Sequence, residues 1–200
     1  MPYVLTVDQR DSRNTRDEVD RAVAELAGVS TLLGFRRTVG DEFQGLLDDP
    51  VSVLGAILGL MRTRTWHLGV GIGPVDRPLP ADGDPTRAHG PAFVAARDAV
   101  EQAKSDPHHV AVVAPGAPDE AYDVKAVLDL LDTVRQGRTR AGWEVADLAL
   151  AGLTQAASAE RLSISRQAVQ QRLRAAGWAA EDAARPTLVR LLARAQEAAR

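Results

Sequence analysis

The chain is 200 residues long, enough for one large domain or two small ones with a proper core. It contains no cysteine, which excludes disulfides and cysteine-based zinc sites. Its formal net charge of -3 hides an asymmetry: from Arg138 onward ten arginines face six acids, a balance of +4, while the preceding part carries -7.

Nucleic acid is therefore expected to meet the C-terminal part alone. No apolar run reaches the ~20 residues of a membrane span, and the first residues lack a basic-then-apolar leader. The expectation is a soluble, cytoplasmic chain with no membrane partner.

Tyr3 to Val7 reads as a short buried strand ending at Asp8, where α/β sheets place ligands. A polar loop follows with Arg10, Asp11 and Arg13; the two guanidinium groups suit phosphate, although solvated loop arginines are the commoner case. Thr15 as N-cap and Glu18 three residues later form a capping box for a helix with Val19, Ala22, Val23, Leu26 and Ala27 on one face, ended by Gly28. Phe35, Arg37 and Val39, then Phe43, Gly45 and Leu47, alternate on either side of Gly40-Asp41, which predicts a β-hairpin with a two-residue turn. Asp41 and Glu42 stand at its tip, as a hard cation such as Mg²⁺ would need, or as ordinary turn acids in water.

Asp49-Pro50 opens a second helix running to Met61. The strand Thr65 to Gly73 carries Trp66, Leu68, Val70 and Ile72 on one face and His67, Gly69, Gly71 and Gly73 on the other, so a ligand or another backbone is expected close against the glycines. His67 reads as structural or solvent-facing. Pro74 to His89 is a long loop of the kind that forms lids or binding loops. Ala92 to Lys104 follows as a helix, with Arg97 one turn after Phe93 and placed to point back toward the sheet. His109 to Ala114 is a last strand, and a long helix then ends near Gln136.

This order predicts an α+β fold: a ferredoxin-like sheet with helices on one face, in which Asp8 and Asp41 converge. The expected domains are 1–117 (palm-like, nucleotide-binding), 118–137 (a connecting helix) and 138–200 (helix-turn-helix). In the last, Arg140 to Ala151, Leu153 to Leu162 and Arg166 to Ala175 are helical, with Ser163-Ile164-Ser165 as the turn. Ala157 allows close crossing, and Leu162, Ile164, Val169 and Leu173 build the core. Ser165, Arg166, Gln167, Gln170, Gln171 and Arg174 are the expected DNA-binding residues, because Arg and Gln suit guanine and adenine edges. Pro186 to Ala199 adds an amphipathic helix suited to pairing in a homodimer.

The segments Val-Leu-Thr-Val-Asp8-Gln, Thr38-Val-Gly-Asp-Glu-Phe-Gln-Gly-Leu-Leu, Gly69-Val-Gly-Ile-Gly and Gly90-Pro-Ala-Phe-Val-Ala-Ala-Arg97 resemble the SatD family over nearly the whole chain. Many of its members carry a C-terminal helix-turn-helix, and the resemblance implies an architecture more than an activity. The N-terminal part is also similar in layout to the palm of class III nucleotide cyclases and GGDEF diguanylate cyclases, whose first-strand Asp and hairpin acid hold two metal ions under a triphosphate. That similarity implies Asp8 and Asp41, with Glu42 as a further candidate, as metal ligands. Val39 stands where GGDEF has its first Gly, and neither a base-recognising lysine nor an Asn/Arg pair is located.

The leading expectation is a DNA-binding transcription regulator that senses a nucleotide with Mg²⁺, the nucleotide held by Arg10, Arg13, Gly40 and Arg97. One alternative is a metal-dependent nucleotidyl cyclase or nucleotide hydrolase using Asp8 and Asp41. The other is a ligand-free dimerisation platform joined to a DNA-binding domain.

Overall fold

The hairpin forms where alternation and Gly40 predict it. In the computed structural model, which describes all 200 residues, β2 (Leu33–Arg37) turns into β3 (Glu42–Leu47). The Glu42 N–H donates to Val39 O at 3.2 Å around Gly40, whose φ is +63°. Thr38 N–H also bonds Glu42 O at 2.9 Å, so the loop proper is Val39-Gly40-Asp41, one residue longer than expected.

Around the hairpin the chain builds β1 (Tyr3–Gln9), α1 (Val19–Glu25), α2 (Pro50–Thr63), β4 (Trp66–Ile72), α3 (Pro91–Ser105) and β5 (Val110–Val113). Then come α4 (Pro118–Gln136), α5 (Arg140–Leu150), α6 (Gln155–Leu162), α7 (Arg166–Ala175) and α8 (Trp178–Ala198). The class is α+β, with a five-stranded mixed sheet in the order β2-β3-β1-β4-β5. β1 is antiparallel to both neighbours, and only β4 and β5 run parallel.

Local chemistry sets the element ends. Asp49 caps α2 by accepting the Val51 and Ser52 N–H groups. Thr15 does not cap α1; it accepts from Gln9 Nε2, and the Glu18 N–H is satisfied by Gln9 Oε1 at 2.8 Å. The buried glutamine replaces the predicted capping box.

Helices cover both faces of the sheet, not one. Arg37, on the face of Phe43 and Trp66, pairs with Asp17 and Asp20, the latter in α1, and Trp66 lines a groove with α1 and α2. The opposite face takes α3. A methyl at Gly71 would run into Ala92 O and Ala96 N, and one at Gly69 into Val100 N and Ala96 O, so the glycines let a helix backbone lie on the strand. A β4-α3-β5 crossover of the same hand as β1-α1-β2 and β3-α2-β4 would have put α3 beside α1 and α2. Its hand is the opposite one.

The chain divides into two compact units, residues 1–129 with 188–200, and residues 130–187. The expected limits at 117 and 138 shift because Ala121, Val124 and Leu128 of α4 are buried, and because the end of α8 returns to the first unit. There Leu188, Leu192 and Ala195 are fully buried, and Tyr3 Oη donates to Leu192 O at 2.9 Å. The stripe expected to pair with a second copy is consumed within its own chain. In the second unit, Val145, Ala159 and Val169 form a core with Leu162, Ile164 and Leu173 against it. Ala157 is exposed, and the small residues buried on α6 are Ser158 and Ala159. No helix is long and apolar enough to cross a membrane.

Candidate functional site

Three residues stand in a row across the sheet on the face that α3 covers: Glu42, Asp8 and His67. Asp8 is the register partner of both the others. The carboxylates are partly withdrawn from water, the side chains of Asp8 and Glu42 being 18% and 14% exposed. α3 supplies two cations seven residues apart and so on one side of the helix. Arg97 Nη2 lies 3.3 Å from Glu42 Oε1, and Lys104 Nζ lies 3.8 Å from Asp8 Oδ2 and 2.7 Å from Glu101 Oε1. Thr38 Oγ1 donates to Glu42 Oε1 at 2.7 Å.

Burial pushes the Asp8 carboxyl above the usual carboxylate range; Lys104 opposes this, while Asp41, Glu42 and Glu101 add to it. The hydrogen bond to Glu101 holds Lys104 in its charged form. Asp41 thus belongs to the cluster, but through the hairpin tip: its carbonyl accepts the Gln9 N–H at 3.2 Å. No set of three or more His, Cys, Asp or Glu side chains converges as a ready-made metal cage.

Beside the cluster is a pocket of about 330 Å³ lined by Gln44, Thr86, His89, Phe93 and Arg97 among others. The structure therefore brings together Asp8, Asp41, Glu42 and Arg97. Arg10 is committed elsewhere, donating from Nη1 to Arg64 O at 2.9 Å at the end of α2. Arg13 is exposed in the loop after β1, and the Gly40 carbonyl accepts from Arg37 Nη1 at 2.8 Å.

Lys104 was given no role from sequence, and His67 was read singly, without its pairing with His109. Lys104 carries a signal, its seven-residue spacing from Arg97. His67 and His109 come from separate strands and meet edge-on, ring centroids 5.1 Å apart. A ring nitrogen of His67 (Nδ1) bonds Ala103 O at 3.2 Å, which fixes the proton on that atom because a carbonyl only accepts. Burial lowers the pKa of both imidazoles, and Arg10 lowers both further.

In the second unit, Thr154 caps α6 and Ser165 caps α7, accepting the Ala157 and Ala168 N–H groups. Ser163, at φ +53°, makes the turn between them. Val169 is fully buried under α7, whereas Ser165, Arg166, Gln167, Gln170, Gln171 and Arg174 are all exposed. The same unit encloses a charge cluster that sequence spacing did not reveal. Glu181 is 1% exposed and meets Arg138 at 2.9 Å, Arg185 at 2.6 Å and Arg135 at 3.4 Å. The guanidinium groups of Arg138 and Arg135 lie 4.5 and 5.0 Å from the centre of the Trp143 ring.

Comparison of the chain with protein-family models, with curated proteins and with solved structures yields no match.

Proposed function

We propose that the protein is a DNA-binding transcription regulator whose sheet unit takes a nucleotide with Mg²⁺. The observation that carries the reading is the polarity of α7. Its buried side is Val169 and Leu173, and its outer side is glutamine and arginine with no acid. A capped helix of this kind, following a short helix and a three-residue turn, suits the reading element of a helix-turn-helix. The resemblance to the SatD family supports the same architecture.

The nucleotide part rests on the acids. The order β2-β3-β1-β4, all antiparallel, supports reading this part of the sheet as ferredoxin-like or palm-like. Mg²⁺ arriving with phosphates needs only one or two protein carboxylates, which Asp8 and Asp41 supply, with Glu42 next to them. When bound, the ion neutralises phosphate charge. Arg97 is the cation on the pocket side of the cluster, suited to a phosphate oxygen, and exposure leaves it free to swing from Glu42. Arg10, tied to Arg64, is the weaker candidate.

Lys104 favours a second reading, the sheet unit as a platform without a ligand, because its ammonium group already offsets Asp8. Thermal unfolding against a panel of nucleotides, with and without Mg²⁺, separates the two. A ligand at ~100 times its dissociation constant adds about 2.7 kcal/mol. A Mg²⁺-dependent rise in midpoint supports the sensor, and no rise with any nucleotide leaves the platform. For DNA, log affinity should fall with log salt by about 0.9 per phosphate contacted; a flat response sinks the regulator.

A further inference from the structure

On α7 the exposed polar residues are not spread evenly. With 100° per residue, Gln167, Gln171, Arg174 and Gln170 occupy one arc about 100° wide, while Val169 and Leu173 face the opposite way into the core. Ser165, Gln167, Gln170, Gln171 and Arg174 together line one shallow surface depression. From Gln167 to Arg174 the helix rises about 10.5 Å, the length of roughly three base steps. Three glutamines and one arginine are thus presented in axial order, with Gln170 and Gln171 at mid-height on the two edges of the arc.

The chemistry of these tips differs. A glutamine amide offers one acceptor and one donor side by side, matching the N6 donor and N7 acceptor of adenine. A guanidinium offers only donors and matches the O6 and N7 acceptors of guanine. No carboxylate stands on this arc to accept from cytosine N4.

Resting on the reading of α7 as a major-groove helix, we infer that the protein recognises an adenine-rich step of three to four base pairs bounded on one side by a guanine. Gln167, Gln170 and Gln171 contact adenines, and Arg174 contacts the guanine. Arg166, in the first turn and about 40° outside the arc beyond Gln170, contacts the phosphate backbone and carries no base preference.

Selection of duplexes from a randomised pool by the full chain, followed by titration of the selected and a scrambled duplex, tests this. The expected motif contains adjacent A·T pairs with one G·C pair at its end. Gln170→Ala and Gln171→Ala should each weaken the selected site about tenfold while leaving the scrambled duplex within twofold. Arg174→Gln should relax the preference at the guanine only, and Arg166→Ala should weaken both duplexes alike. Unchanged melting midpoints of these exposed-site variants exclude misfolding as the cause. A selected motif without adjacent adenines, or equal losses on both duplexes for the glutamine variants, overturns the inference while DNA binding itself stands. Absence of salt-dependent binding to any duplex removes the regulator reading, and this inference with it.

Discussion

Asp8 and Glu42 are directly opposed residues on neighbouring antiparallel strands, so two half-buried carboxylates share one face of the sheet. Like charges in this relationship oppose sheet pairing. The strain shows in Asp8, whose carboxyl is held above its usual range first by burial and then by Asp41, Glu42 and Glu101, against the pull of Lys104. A site that costs the fold in this way fits a cation that arrives with a ligand.

Asp8→Asn should therefore do two opposite things. Without ligand it removes a disfavoured charge, and the melting midpoint at neutral pH should rise by a few degrees. On the proposed reading of the site, the stabilisation expected from Mg²⁺ and nucleotide should disappear. Scanning calorimetry with and without Mg²⁺-nucleotide reads both. A midpoint that falls, or a ligand shift that survives, counts against the role given to Asp8.

The seat of α3 gives a second prediction. Gly71→Ala would drive a methyl into the backbone of Ala92 and Ala96, where no flexible side chain can give way. The expected loss is about 3 kcal/mol in denaturant unfolding. Because α3 carries Arg97 and Lys104, nucleotide binding should weaken as well. Gly34→Ala, which meets open space, should change stability by less than about 0.5 kcal/mol. Similar losses for both variants would mean the close approach is not what Gly71 is for.

The glycine face of β4, the turn at Gly40 and the helix boundaries around Ser163 were legible because each depends on a few adjacent residues. What escaped was set by distant ones. The side of the sheet taken by α3 follows from the hand of one crossover, which local periodicity does not encode. The end of α8 reads as a free amphipathic helix until Tyr3, at the other end of the chain, is seen against Leu192. In the candidate site, Asp8 and Glu42 were visible as acids at strand ends. Lys104 was not, since its orientation depends on where α3 lies.

Histidine burial sets a pH response. His67 and His109 have folded pKa values below the ordinary ~6.5. The unfolded chain then binds their protons more readily, so their contribution is complete above pH ~6.5 and is lost as pH falls through the folded values. The loss cannot exceed about 1.4 kcal/mol per pH unit for each ring. Asp8 works the other way, because its raised folded pKa makes the folded state gain relative stability on acidification. In His67→Gln/His109→Asn, the glutamine can keep the bond to Ala103 O, and asparagine tolerates the φ of +56° at position 109. Urea unfolding between pH 7 and 5 should show falling stability in the wild type and a flat or reversed trend in the double variant. Parallel pH profiles would dismiss the pair as titrating groups.

Glu181 bridges Arg135, Arg138 and Arg185 inside the second unit, and Arg138 has a fully buried side chain. Burial first, and then the charges of Arg138 and Arg185, lower Arg135 to about 10 against the pull of Glu181 and Asp132. Removing the shared anion leaves guanidinium groups facing one another, relieved by the Trp143 ring and, at Arg135, by the charge of Asp132. A buried pair broken from one side costs about 3–5 kcal/mol, and Glu181→Ala should fall in that range. DNA binding should then weaken with the fold of residues 130–187, although Glu181 is itself buried and beyond the reach of DNA. Glu181→Asp, which keeps the charge on a shorter arm, should recover part of the stability. A loss below about 1 kcal/mol in Glu181→Ala would mean that water or rearrangement satisfies the arginines without it.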